Sequence, residues 1–266
     1  MRMGQSNSFQ FQRQEARKRV DQFGKVILVG SGKGGVGKSF VACAIALSLS
    51  EKRFRTGILD IDIHGASVPD YLGVRPPLKS TREGLVPKRS HGVKVMSVSL
   101  LIGDNPIPMR GIDKQELITQ FLALTDWGRL DYLVVDLPPG TGDELLSAFD
   151  LFAGKSSLVL VTTPSRNAVT VVSRLRRLAE TEKVPVEGVV LNMAYIDEGR
   201  TRRTSPFGRM SKKTLEAALD STILSEIPLE PKVNSESLYK VLHGRNNTSV
   251  AFRRLVRRWT GEETRC

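Results

Sequence analysis

Between two apolar stretches the chain reads Gly32-Lys33-Gly34-Gly35-Val36-Gly37-Lys38-Ser39, a fit to G-x-x-x-x-G-K-[ST]. Glycines let the main chain fold tightly enough for several N–H groups to aim at one anion. The positive end of a following helix adds to that field. Lys38 is spaced to lie along the β- and γ-phosphates of ATP, and the Ser39 hydroxyl to ligate Mg²⁺. The nucleotide contact set then runs from Gly32 through Phe40. A loop of this kind needs a carboxylate at a neighbouring strand end to hold the metal through water. Asp136, closing Tyr132-Leu-Val-Val-Asp136, is so placed. Leu137-Pro-Pro-Gly-Thr-Gly142 follows, a turn suited to sensing the terminal phosphate. Asp60 and Asp62, in Leu59-Asp-Ile-Asp-Ile-His64, share one face of a strand end. One of them orients the attacking water, or the two form a capping or salt-bridged pair.

These residues need rigid elements to hold them, and the hydropathy pattern supplies candidates. Strand-like runs occur at Lys25–Val29, Thr56–Ile61, Val93–Ser99, Tyr132–Leu137, Ser157–Thr163, Gly188–Asn192 and Thr222–Ile227. Helix-length segments lie at Lys38–Ser50 and near 113–125, 143–153, 167–182 and 235–243. Such alternation predicts an α/β three-layer sandwich, a mostly parallel sheet with helices on both faces. Continuously apolar runs such as Val26-Ile-Leu-Val29 suit strands buried on both sides. The expected organisation is a basic polar leader over 1–24, with a short helix at Arg13–Phe23, an ATPase domain over 25–248, and a basic amphipathic helix and tail over 249–266. Residues 195–213 read as an inserted polar loop. Residues 249–260 place Phe252, Leu255, Val256 and Trp259 on one helical face among arginines.

Composition bounds the setting. Among 266 residues, 40 are basic and 28 acidic, a net charge of +12 that favours anionic company or a solvated basic surface. The polar opening, Met1 to Gln14, lacks the apolar stretch of a secretory signal. The longest apolar run, around Phe40–Leu49, falls short of the roughly 18 residues of a membrane helix. Cys43 and Cys266, the two cysteines, make no disulfide framework and fit a reducing interior. A soluble cytoplasmic protein is expected.

The strings Ser31-Gly-Lys-Gly-Gly-Val-Gly-Lys-Ser39, Asp60-Ile-Asp-Ile-His-Gly65, Met109-Arg-Gly111, the run from Asp126 to Asp143 and Asn192-Met193 together resemble the Mrp/ApbC family of iron–sulfur carriers. That family lies within the MinD/ParA group of deviant P-loop ATPases, and the likeness runs from Gly30 to about Asn246. It implies a homodimer across the nucleotide sites, in which Lys33 reaches the partner's phosphates and slow hydrolysis depends on dimerisation. By the same resemblance Asp62 positions the hydrolytic water, Asn192 reads adenine and Pro228-Leu-Glu230 packs the base. An iron–sulfur cluster and acceptor proteins are implied as cargo and partners. The family places a C-x-x-C pair after the asparagine–methionine string, but the stretch Asn192–Gly208 contains no cysteine. A cluster needs about four thiolates or mixed His/Cys ligation. Cys43 falls inside an apolar helix, Cys266 ends the chain, and His64, His91 and His243 show no metal spacing. The other reading is a MinD/ParA-like localisation ATPase. Its contact is a membrane through 249–260, or nucleic acid through Arg200, Arg202, Arg203, Arg209, Lys212 and Lys213.

Overall fold

The computed structural model describes residues 2–63, 65–102, 114–197, 203–208 and 210–261, with main chain alone at 2–8, 102 and 114. His64, Met109-Arg-Gly111, Arg200, Arg202, Arg209 and Cys266 lie outside the described residues. The chain begins with α1 (Arg2–Asp21), β1 (Phe23–Ser31), α2 (Lys38–Glu51), β2 (Thr56–Asp60) and α3 (Val68–Leu72). Short pieces follow: β3 (Lys79–Thr81), β4 (Gly84–Val86), β5 (Lys88–Ser90), β6 (Val93–Ser97) and α4 (Val98–Ile102). Then come α5 (Lys114–Leu124), β7 (Leu130–Asp136), α6 (Asp143–Leu151), β8 (Ser156–Thr162), α7 (Arg166–Thr181) and β9 (Val186–Leu191). The chain continues through β10 (Ile196–Asp197), β11 (Arg203–Thr204), α8 (Lys212–Leu219) and β12 (Ile223–Glu226). A 3₁₀ turn (Pro231–Asn234) leads to α9 (Leu238–His243) and α10 (Asn247–Thr260).

Among the described residues, eight strands form one sheet in the order β12-β9-β8-β1-β7-β2-β6-β5. Every pairing is parallel except β5 with β6 at one edge. This is the expected three-layer arrangement. Alternation along the strands divides the core in two. Val26, Leu28, Leu133 and Val135 face a layer built from α1, α5, α6, α7 and α8. Ile27, Val29, Tyr132 and Val134 face α2, α3, α9 and α10. Burial on both faces is why these strands read as unbroken apolar runs.

α2 is buried along its whole length from Lys38 to Leu49, with the sheet on one side and the outer helices on the other. A helix apolar all round has to be enclosed in this way. α10 supplies much of the outer cover. Phe252, Leu255 and Val256 are buried, and the Phe252 ring meets Phe40 edge-on at 5.7 Å. The Tyr132 hydroxyl donates to the Trp259 carbonyl at 2.6 Å, tying the far end of α10 to the sheet. A capping box starts the helix, with the Asn246 side chain accepting from Ser249 N–H. The apolar stripe, for which the core and a membrane were the two candidate surfaces, is docked on the core. Among the described residues, no helix is long and apolar enough to cross a membrane.

Three expectations are corrected. The first helix begins well before Arg13 and ends before Phe23, because Phe23 already pairs with Leu130 in the sheet. Residues 79–90, assigned no element, form the β3–β4 hairpin and the antiparallel edge strand β5. Their strands are three residues long, too short for a periodic signal. The inserted loop 195–213 contains a two-stranded ribbon, Ile196 opposite Thr204, and α8 begins at Lys212. Phe252→Ala is expected to lower the unfolding free energy by about 3–5 kcal/mol in denaturant titrations, the usual cost of emptying a buried aromatic site.

Candidate functional site

β1 is the central strand, flanked by β7 and β8, and its C-terminal end delivers the glycine loop to the start of α2. Parallel register does the rest. Val29 pairs with Asp136, and Asp60 pairs with Asp136 across the next strand. The two carboxylates thus reach the same edge of the sheet as the loop, where ligand crevices open in α/β folds.

Lys38, only 6% exposed, is aimed back at that edge. Its Nζ donates to Asp136 Oδ1 at 2.7 Å and lies 3.4 Å from Asp62 Oδ2. The Ser39 hydroxyl donates to Asp136 Oδ2. Asp62 is fixed at both ends. Its N–H donates to Asp60 Oδ1 at 3.1 Å, while its Oδ1 accepts from Gly65 N–H at 3.0 Å. Asp60 sits a layer deeper, accepting from the Ser97 hydroxyl at 3.0 Å. Of the two carboxylates left open by the sequence, Asp62 is the one that borders the cleft.

Burial dominates the electrostatics. Asp136 is raised above the ordinary carboxylate range by desolvation, although Lys38 and Ser39 pull it down. Asp60 is pushed up to about 8 by burial first and by Asp136 second. Three carboxylates around one ammonium leave the cluster short of positive charge. A hydroxyl beside carboxylate oxygens is the donor chemistry of Mg²⁺, so Ser39 and Asp136 fit that ion.

The loop encloses a cleft of about 460 Å³ bordered by Lys33, Lys38, Ser39, Asp62, Tyr71 and Met193, among others. Gly34 and Gly35 leave it open, since an added Cβ at either would meet nothing within 4 Å. Gly37 is constrained. Its φ is +81°, and a Cβ there would come within 2.1 Å of Asn192 Nδ2. Val36 is turned inward and buried, and its carbonyl accepts from Asn192 Nδ2 at 2.9 Å. Gly32 lies against α7, where a Cβ would stand 2.6 Å from the main chain of Val171. Phe40 borders the cleft and packs its ring between Tyr71 and Phe252. Lys33 is exposed and makes no ion pair among the described residues.

Asn192, Pro228 and Glu230 do not border this cleft. Asn192 is buried against the loop, and Glu230 accepts from Thr248 and from Lys232 N–H. Tyr71 and Ser67, by contrast, do border it without any motif having singled them out. Their place depends on α3 folding back over the loop, a long-range event with no local signal. Cys43 is fully buried in α2 and its thiol is pushed well up by that burial. Among the described residues no group of three or more His, Cys, Asp or Glu could hold a metal ion.

The family described as ParA: NUBPL iron-transfer P-loop NTPase matches residues 22–257. An iron–sulfur cluster carrier protein of Saccharolobus solfataricus is 39% identical over 212 residues, covering 77% of this chain and 71% of that protein. One from Aquifex aeolicus is 36% identical over 226 residues, 83% of this chain. The chain spans only 62% of that relative's length. Among solved structures, a nucleotide-binding protein of Archaeoglobus fulgidus in complex with ADP superposes with a TM-score of 0.73 at 34% identity, covering 86% of this chain and 90% of that one.

The buried acid pair makes folding sensitive to pH. Asp60 holds its proton more tightly folded than unfolded, so its contribution is full below about 3.8 and is lost as pH rises towards about 8. Asp60→Asn keeps a neutral hydrogen-bonding group there. It is expected to flatten the decline of the thermal midpoint across that window; an unchanged slope would show that the proton resides elsewhere.

Proposed function

We propose, since this chain belongs to the ParA/NUBPL family of iron-transfer P-loop NTPases, that it binds and hydrolyses Mg·ATP in the service of iron–sulfur cluster assembly or transfer. The observation that carries the nucleotide half is the meeting of Lys38, Ser39 and Asp62 on one glycine-lined cleft, with Asp136 buried directly behind Lys38 and Ser39. Lys38 exchanges its carboxylate partners for the β- and γ-phosphates. Ser39 and Asp136 would hold Mg²⁺, which would supply positive charge against the phosphates. Asp62, held by two main-chain hydrogen bonds, orients the attacking water. Asn192 braces the loop through its amide nitrogen, leaving its oxygen to receive the exocyclic amine of adenine, with Pro228 and Glu230 beside the base.

Lys33 stabilises transition-state charge in a second subunit, a role supported by its exposure on the lining of the cleft. Hydrolysis is then slow in the monomer and rises with protein concentration. The cluster is cargo, passed to acceptor proteins with thiolates contributed from outside this fold's described residues. A reducing, cytoplasmic setting suits the free thiol of Cys43.

Lys38→Ala is expected to abolish the heat of Mg·ATP binding in calorimetry. Lys33→Ala should keep the affinity while slowing phosphate release by roughly a thousandfold, the lower range for a cation supplied in trans. Equal affinity of Lys38→Ala and the parent would remove the site. In anaerobic reconstitution with iron and sulfide, the purified chain should take up iron through Cys266 or when given a thiol-bearing partner; no chromophore and no iron retained under either condition would leave the carrier role without support.

A further inference from the structure

At the end of the sheet opposite β5, the strand β12 pairs with β9 alone. All four of its residues border a groove of about 330 Å³, whose other wall includes Arg203, Lys212 and Arg254. A second hollow, of about 520 Å³, continues the groove along α10 and shares Asn247, Val250 and Arg254 with it. Arg245, Arg253 and Arg257 line that extension. Asn247, Val250, Arg254 and Arg257 form one helical stripe, facing away from the buried Phe252, Leu255 and Val256.

The charge of this surface is one-sided. α10 contains arginines at 253, 254, 257 and 258 and no acidic residue. Glu226 is the one carboxylate on the lining of either hollow. Asp197 and Glu216 lie near the groove, but they are already engaged by Arg203 at 3.5 Å and Lys212 at 3.8 Å. Among the described residues, neither Arg245 nor Arg254 has an ion-pair partner. Arg253 is held in place, donating to the Gly244 carbonyl at 3.1 Å and to Ser249 Oγ at 2.9 Å. Between the cations lies an apolar strip of Leu224 and Val250, the latter half-exposed, while Ile223 is turned into the core.

An edge strand presents N–H and C=O groups that an added strand can pair with; in β12 the Ile223 N–H is already taken by Glu216 Oε1 at 3.0 Å, so pairing falls on the residues after it. We propose that this groove binds an extended acidic peptide of a partner protein, which lies along β12 while its carboxylates meet Arg245, Arg254 and their neighbours. The apolar strip suits alternate side chains of such a peptide. A polynucleotide fits less well. The one aromatic residue on the lining, Tyr195, is buried and covered by the Arg203 guanidinium at 4.3 Å, so no ring face is offered to a base. The proposal is independent of the nucleotide and iron readings, because none of these residues borders the cleft.

The test uses the full chain and fluorescence anisotropy with a labelled peptide that alternates glutamate and valine. Binding should weaken at least about tenfold in the Arg245→Glu/Arg254→Glu double variant, whose Mg·ATP binding heat should match the parent's. N-methylation of alternate residues of the peptide, which blocks strand pairing without altering charge, should cost a similar factor against the unmodified protein. Three results would overturn the proposal: an N-methylated peptide bound as tightly as its parent, indifference to the charge reversal, or oligothymidylate bound more tightly than the peptide. The N-methyl comparison holds even if the double variant fails to fold.

Discussion

Lys38 carries its charge into a place where water scarcely reaches, with Asp136 at 2.7 Å and Asp62 at 3.4 Å. An ammonium there is tolerable only while carboxylates face it, and buried carboxylates are tolerable only while it faces them. That mutual need constrains everything around it. β2 and β7 must be neighbours in register, so that Asp60 and Asp136 come level. β1 must lie beside β7, so that the glycine loop opens onto the same edge. α2 must begin immediately after the loop, or its first residue would not reach back to the strands. Removal of either partner would leave a buried charge uncompensated, which is far costlier than the pair itself is stabilising.

The charge deficit gives the site its chemical direction. One ammonium does not balance three carboxylates, and desolvation drives Asp60 and Asp136 towards protonation. A divalent cation would relieve the deficit, while phosphate oxygens would draw Lys38 forward. Tight ion pairing and poised ligand exchange are thus the same arrangement viewed with and without a triphosphate. The iron side of the chemistry stands on a different footing. Cys43, enclosed in α2, has neither the exposure nor the thiolate character that ligation demands. Cys43 is thus a packing residue of α2.

How much of this was legible in the sequence depends on whether the signal was local. The glycine loop, Asp136 and the Asp60–Asp62 pair were readable because strand, turn and helix follow one another within a few residues, and because doubly buried strands are unbroken apolar runs. The seven expected strands all exist, with ends moved by a residue or two. What escaped was set by distance or brevity. Tyr71 joins the cleft only because α3 folds over it, and β5 is too short to show a period. The brace that Asn192 gives the loop, its amide nitrogen donating to the Val36 carbonyl, had no local signal either, since the two residues lie far apart in sequence. Whether the apolar stripe of α10 faced lipid or core was likewise beyond local pattern. The answer lay in Phe40, on a helix two hundred residues away, whose ring receives Phe252.

The enclosure of α2 has a mechanical consequence. Sheet, α3, α9 and α10 press on it from all sides, and dense packing does not slide by small degrees. The element carrying Lys38 and Ser39 therefore behaves as a fixed anvil during turnover. Rearrangement on gaining or losing the terminal phosphate has to fall on the segments after β2 and β7, which leave the sheet as Asp62–Ser67 and Leu137–Gly142. Asp62, Gly65, Ser67 and Pro139 of those segments line the cleft. Movement between nucleotide states would then stay along the rim, with the interior at rest.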